Sequence, residues 1–207
     1  MPSRSQYEQY VTMPTVKAAL DTIAWAEGGK YNNMFGGRTF SGNQHPNICV
    51  PYRSTCSTAA GRYQFLYSTW RGLASNLGLP DFSPHNQDIG AVYLIWQRGQ
   101  LDNLLNGNFE AMMRGLGCLW AALPYATCGQ TRRPLAATLD YYNSALRVYQ
   151  GRSGNAPINT NANVNTNTNT NASTNTNANA STNAVVQDNG DDTIIFAGLA
   201  IALLLLL

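Results

Sequence analysis

Apolar residues recur at helical spacing through most of the first 150 positions, and prolines and glycines mark where the runs begin and end. Val16, Leu20 and Ile23 follow one another at intervals of four and three, after Pro14, which suits a first helical turn, and before Gly28-Gly29, which suits a helix exit. The pattern predicts a helix over 14–27. Comparable runs predict helices near 68–77, 84–98, 108–122 and 134–149, with Ser83 and Pro84 opening the third of the five.

After Gln150 the pattern changes. Residues 158–184 read INTNANVNTNTNTNASTNTNANASTNA, with Asn at nearly every odd position from Asn159 to Asn183. No large side chain is available there to offset the cost of ordering the backbone, so the segment reads as a flexible linker rather than a strand or an aggregating Asn-rich stretch. It is followed by TIIFAGLAIALLLLL, residues 193–207, an uncharged apolar run. As a helix it would be roughly 22 Å long at ~1.5 Å per residue, against a hydrocarbon core of ~30 Å. The run is expected to act as a membrane anchor or a half-buried hydrophobic tail; a packed core helix is the plainer alternative, but core helices seldom hang from such a tether. A lipid-anchor signal fits poorly, because the first residues, MPSRSQYEQY, contain no apolar run to open a secretory route. Three parts are expected: a folded domain over 1–152, an Asn/Thr-rich linker over 153–190, and the hydrophobic segment.

Charge separates the first part from the rest. All thirteen Lys and Arg lie between Arg4 and Arg152, with eight of the eleven Asp and Glu, so this part carries about +5 and the remainder −3. Mild basicity suits a polyanionic partner. Nucleic acid is not expected, because the arginines are scattered and form no run. The four cysteines fall into two close pairs, Cys49 with Cys56 and Cys118 with Cys128, and of the three possible pairings the spacing favours the two local ones. Paired cysteines place the domain in an oxidising space. Zinc is the competing idea, but there is no CxxC, and His45 and His85 stand outside ligand spacing, so no metal is expected.

Glu27 extends the stripe of Val16, Leu20 and Ile23 by one more interval of four. A carboxylate on the core side of a helix is costly to ionise; desolvation raises its pKa and leaves it protonated near neutral pH, as a general acid must be. The alternative is a helix-terminal Glu that bends out to water.

The surrounding motifs resemble those of the phage lambda endolysin family of lysozyme-like lytic transglycosylases. The resemblance runs from about Leu20 to Leu146 through AWAEGGKY (24–31), FGGRTF and HPN (35–40, 45–47), AAGRYQFLYSTW (59–70), LGLPDFSPHNQD (77–88), QRGQL (97–101) and LWAALP (119–124). It implies a mainly helical α+β fold, a lysozyme-like domain with a small β-hairpin lobe between about 36 and 50. It also implies cleavage of the β-1,4 bond between N-acetylmuramic acid and N-acetylglucosamine in peptidoglycan, with Glu27 as the catalytic acid and no cofactor. One departure is visible: only Gly28, Gly29 and Lys30 separate Glu27 from Tyr31, where the family has a longer loop.

The residues bear on mechanism independently. Glycosidases that use two carboxylates need the second close to the first, and no Asp or Glu occurs between Glu27 and Asp81. Asp81 and Asp88 belong to FSPHNQD and its border, where Asp88 reads as a first-turn residue favoured by the helix dipole. With one carboxylate, the family's nucleophile is the substrate's own 6-hydroxyl, which yields a 1,6-anhydro sugar. Tyr63 and Gln64 of GRYQF are expected to line the cleft, and Gly61 to let backbone approach the ligand. Arg62 either joins them or pairs with a buried acid. Tyr31, Phe40 and His45 are expected on the opposite wall, although His45 before Pro46 equally suits a turn cap. Trp70, Trp96 and Trp120 read as core. A monomeric enzyme tethered to a membrane is expected, acting in the host periplasm or from a virion membrane; the alternatives are a water-using muramidase and a non-catalytic wall-binding protein.

Overall fold

The computed structural model describes residues 1–52, 54–129 and 131–151. The linker and the apolar run, expected over 153–190 and 193–207, lie outside the described residues. Among the described residues no helix is long and apolar enough to cross a membrane.

Seven helices carry the fold among the described residues: α1 (Arg4–Tyr10), α2 (Pro14–Glu27), α3 (Tyr67–Leu77), α4 (Pro84–Gln97), α5 (Leu101–Leu105), α6 (Phe109–Leu116) and α7 (Leu135–Tyr149). A two-stranded antiparallel ladder, β1 (Val50–Tyr52) with β2 (Thr55–Ser57), sets Pro51 opposite Cys56. The architecture is the mainly helical α+β fold that the sequence suggested.

α4 is the central helix. Ile89 to Ile95 are all buried, so it is covered on every side, as expected of a helix apolar around its circumference. Tyr7 of α1, Trp70 and Leu73 of α3 and Leu104 of α5 belong to the same core cluster. At Gly90 an added Cβ would lie 3.0 Å from a Leu73 methyl and 3.1 Å from the Trp70 ring, so α3 and α4 pack closely there and a larger residue would have to push those side chains aside. α2 makes its most extensive contact with α7, and Val16, Leu20 and Ile23 on the predicted stripe are all 1% exposed or less.

Four differences from the sequence reading have physical causes. The hairpin lies at 50–57 rather than within 36–50; its Pro51 occupies an exposed position in a two-stranded ladder, where a missing N–H is tolerated. The 36–50 stretch instead holds a short 3₁₀ turn at Phe35–Gly37 and an isolated bridge between Asn33 and Thr39. α6 stops at Leu116, well before residue 122, because Gly117 takes φ 58° and ψ −129° and turns the chain away. α1 was not anticipated, although a capping box announces it: the Ser3 hydroxyl accepts from the Gln6 N–H, and the Gln6 side chain accepts from the Ser3 N–H at 2.8 Å. Five-residue α5 has no side-chain cap at its N-terminus to mark it. Both local cysteine pairings form, Cys49–Cys56 across the hairpin with Cα atoms 5.3 Å apart and Cys118–Cys128 at 5.7 Å.

Candidate active site

α2 ends at Glu27 because Gly28 adopts a left-handed conformation (φ 64°) and returns its N–H to Ala24 and Trp25. The last carbonyls of the helix are met from far along the chain. Arg133 donates through Nε to the Ala26 carbonyl and through Nη2 to that of Trp25, both at 3.3 Å, while its guanidinium lies over the Trp25 ring. A cation at a helix C-terminus satisfies orphan acceptors and the dipole together.

Glu27 is half-buried. Its Oε1 accepts the N–H of Ala122 at 3.0 Å, and Ala122 in turn accepts from the backbone N–H of Arg133 at 2.8 Å. Burial pushes the Glu27 carboxyl above its ordinary value of 4.5, and the opposing pulls of the Ala122 N–H and the Arg133 charge do not reverse it. No second carboxylate acts on Glu27 among the described residues. Each of the others that is not exposed is occupied: Asp21 with Arg62, Glu8 with Arg4 and His85, Asp81 with Ser83 and Asn86, Glu110 with Arg114 and Tyr125.

The remaining acid, Asp88, anchors a polar cluster beside the exit of α2. Its carboxylate accepts the hydroxyls of Tyr31 (3.0 Å) and Tyr63 (2.5 Å) and lies 3.6 Å from Nη1 of Arg62. Arg62 Nη1 donates to Tyr31 Oη at 2.9 Å, and Nη2 pairs with Asp21 on α2, which also accepts from Tyr149 of α7 at 2.6 Å. The guanidinium therefore bridges the chain six residues before Glu27 and four residues after it. Between these points Gly29 rests on the backbone of Arg62 so closely that an added Cβ would meet the Arg62 carbonyl oxygen at 2.1 Å. Trp120 completes the setting, with Nε1 donating to the Tyr63 carbonyl at 3.2 Å.

The motifs AWAEGGKY, GRYQF and LWAALP thus meet at the exit of α2, where LWAALP donates to Glu27 and GRYQF packs against Gly29 two residues beyond it. A family model for endolysins matches residues 17–148. The chain belongs to the endolysin family. It is 37% identical over 126 residues to the endolysin of Escherichia phage lambda, across 55% of this chain and 80% of that protein. It is 41% identical over 93 residues to the endolysin of Escherichia phage P2, across 45% of this chain and 56% of the relative. Among solved structures, bacteriophage lambda lysozyme complexed with a chitohexasaccharide aligns with a TM-score of 0.61 at 32% identity, over 64% of this chain and 94% of that one. The lysozyme from bacteriophage lambda aligns with a TM-score of 0.55 at 29% identity, over 70% and 97%.

In this endolysin the expected site residues separate into two groups. Tyr63 and His45 are only 2% and 7% exposed, so neither offers a face to a ligand here. The Tyr63 ring packs on Phe65 and Trp120. His45 accepts the Asn47 N–H at Nδ1, so Nε2 carries the proton and donates to the Phe65 carbonyl at 2.8 Å; burial lowers its pKa, and it closes a turn as a neutral ring. Arg62 takes the second role weighed for it, pairing with Asp21 and Asp88. Asp88 is no first-turn residue: α4 starts at Pro84, and burial raises the Asp88 pKa despite its donors. At Gly61 (φ 76°) the close neighbours are Gln87 and Phe82, with the Gln87 side-chain oxygen 2.3 Å from an added Cβ, so this glycine serves packing. Tyr31, Phe40 and Gln64 stay half-buried. Gln64 is held at φ 50°, uncommon outside glycine, and donates to the Gly61 carbonyl at 2.9 Å. Trp70 and Trp120 are core residues, and Trp96 packs against the core. Arg133 and Ala122 escaped the sequence reading, since their partners lie roughly a hundred residues away and no local spacing marks such contacts.

Proposed function

We propose that this endolysin cleaves peptidoglycan as a lytic transglycosylase, breaking the β-1,4 bond between N-acetylmuramic acid and N-acetylglucosamine. One observation carries the proposal: Glu27 is desolvated, hydrogen-bonded and without a partner carboxylate among the described residues. As a neutral acid it donates its proton to the glycosidic oxygen while the bond from C1 to that oxygen breaks. As the resulting carboxylate it takes the proton of the muramic acid 6-hydroxyl as O6 bonds to C1, closing the 1,6-anhydro ring and restoring the acid. An intramolecular hydroxyl already sits near C1, so no second carboxylate is needed to activate water. The complex of lambda lysozyme with a chitohexasaccharide supports a glycan chain as the ligand. Half-buried Tyr31, Phe40 and Gln64 are the wall residues proposed to meet it.

Digestion of purified peptidoglycan, followed by mass spectrometry of the muropeptides, tests the chemistry. Products ending in 1,6-anhydro-muramic acid are expected, and reducing ends alone would overturn the reading in favour of hydrolysis. We further propose that the apolar run 193–207 tethers the enzyme to a membrane so that its catalytic domain works in the host periplasm, on the composition of that run. Fractionation of lysates of cells expressing the full chain tests it: lytic activity is expected to sediment with membranes, and recovery in the supernatant would overturn the tether.

A further inference from the structure

The connection from α6 to α7, residues 117–134, contains no helix or strand among its described residues, yet it supplies the hydrogen bond that Glu27 receives from Ala122. What fixes such a segment must come from turns, side chains and cross-links. Trp120 and Leu123 are buried on either side of Ala121 and Ala122, and Arg133 holds the Ala122 carbonyl. Beyond Pro124 the anchors move to the surface. Tyr125 reaches Glu110 at 2.5 Å and stacks under Arg114, and exposed Arg132 holds the carbonyls of Pro124 and Ala126 at 3.2 Å. Cys128 then returns the chain to Cys118, two residues past the end of α6. The bridge therefore closes the base of the loop whose middle presents Ala122 to the acid.

We infer that the Cys118–Cys128 disulfide is a positioning element for the reaction, holding the 118–128 loop so that the Ala122 N–H stays aimed at Glu27. The inference rests on Glu27 being the catalytic acid. Without the bridge the loop samples wider arrangements, and the N–H donor is intermittently withdrawn. Two consequences follow from one cause. The rate falls, because acid and substrate are held less closely in the productive geometry. The acid also changes, because the Ala122 N–H stabilises the charged carboxylate, so its loss moves Glu27 further towards the protonated form. The groups bearing on Glu27 are that N–H from the loop and the Arg133 charge before α7, and only the N–H belongs to the loop the bridge closes.

The test compares the full chain with its Cys118→Ala/Cys128→Ala and Cys49→Ala/Cys56→Ala variants, measuring turnover of purified peptidoglycan across pH, with circular dichroism at each point. The loop variant is expected to keep its helical signal, lose about tenfold in kcat and shift the alkaline limb of its pH profile upward. The hairpin variant should keep the wild-type alkaline limb. An unshifted limb in the loop variant overturns the inference, as does loss of the helical signal together with activity, since the bridge would then hold the fold rather than the acid. Reducing the remaining bridge of the hairpin variant with a phosphine at 25 °C gives a second route to the same comparison, in a protein already folded. Glu27→Gln in parallel separates the two levels: if it remains active, the assignment of the acid fails, whatever the disulfide does.

Discussion

At the scale of single residues, Glu27 shows function set against stability. Its carboxyl is held above 4.5 by burial, so the folded protein keeps a proton that the unfolded chain releases. Below the ordinary value both states are protonated and the burial costs nothing; as pH rises through it, the cost of keeping this group in place grows. Glu27→Gln retains Oε1 as acceptor for the Ala122 N–H but cannot ionise. It should lower activity roughly thousandfold. It should also raise Tm by a few degrees at pH 7, with the gain vanishing below pH 4.5, as differential scanning calorimetry across pH would show. Equal melting temperatures at pH 7 would mean that the carboxylate is well solvated. This residue was legible in the sequence because an interval of four on an established stripe puts it on the buried side. Asp88 was not: its chain neighbours place it on a helix, and only folding brings Tyr31, Tyr63 and Arg62 to it.

Between elements, the contact of Gly29 with Arg62 couples the exit of α2 to the GRYQF turn. There is no room for a methyl group, since the obstacle is a backbone carbonyl rather than a mobile side-chain tip. Gly29→Ala must push the two segments apart. The expected cost is about 1–3 kcal/mol in urea unfolding, together with a fall of roughly tenfold in turnover as Glu27 shifts against the turn. Unchanged stability would show that the exit loop relaxes freely. Five helices were legible because apolar periodicity and terminal Pro or Gly residues are local signals. The end of α6 was misplaced because LWAALP goes on being apolar after the helix stops; its Trp120 and Leu123 are buried by an irregular loop, which has no period to read.

For the whole molecule, Arg62 is the cation shared by Asp21 of α2 and Asp88 of α4, and their side chains are 22% exposed against 17% for its own. Removing it leaves two carboxylates facing each other without compensation, so Arg62→Ala should lose about 3 kcal/mol by denaturant titration. Adding Asp88→Asn should restore part of that loss, because one uncompensated charge disappears; a purely additive double variant would mean that the pair does not interact.

The sequence by itself determined the helical domain and the buried side of α2, and it favoured the local cysteine pairs and Glu27 as the acid, because each rests on spacing within a few turns of chain or on motifs read as blocks. The tertiary structure alone decided that Arg133 caps α2, that Ala122 donates to Glu27, that Tyr63 and His45 are enclosed, and that Arg62 serves two acids instead of presenting itself to a ligand. Those contacts join residues some 20 to 110 positions apart. Their formation depends on which surfaces meet once the chain has packed, and local periodicity does not record that.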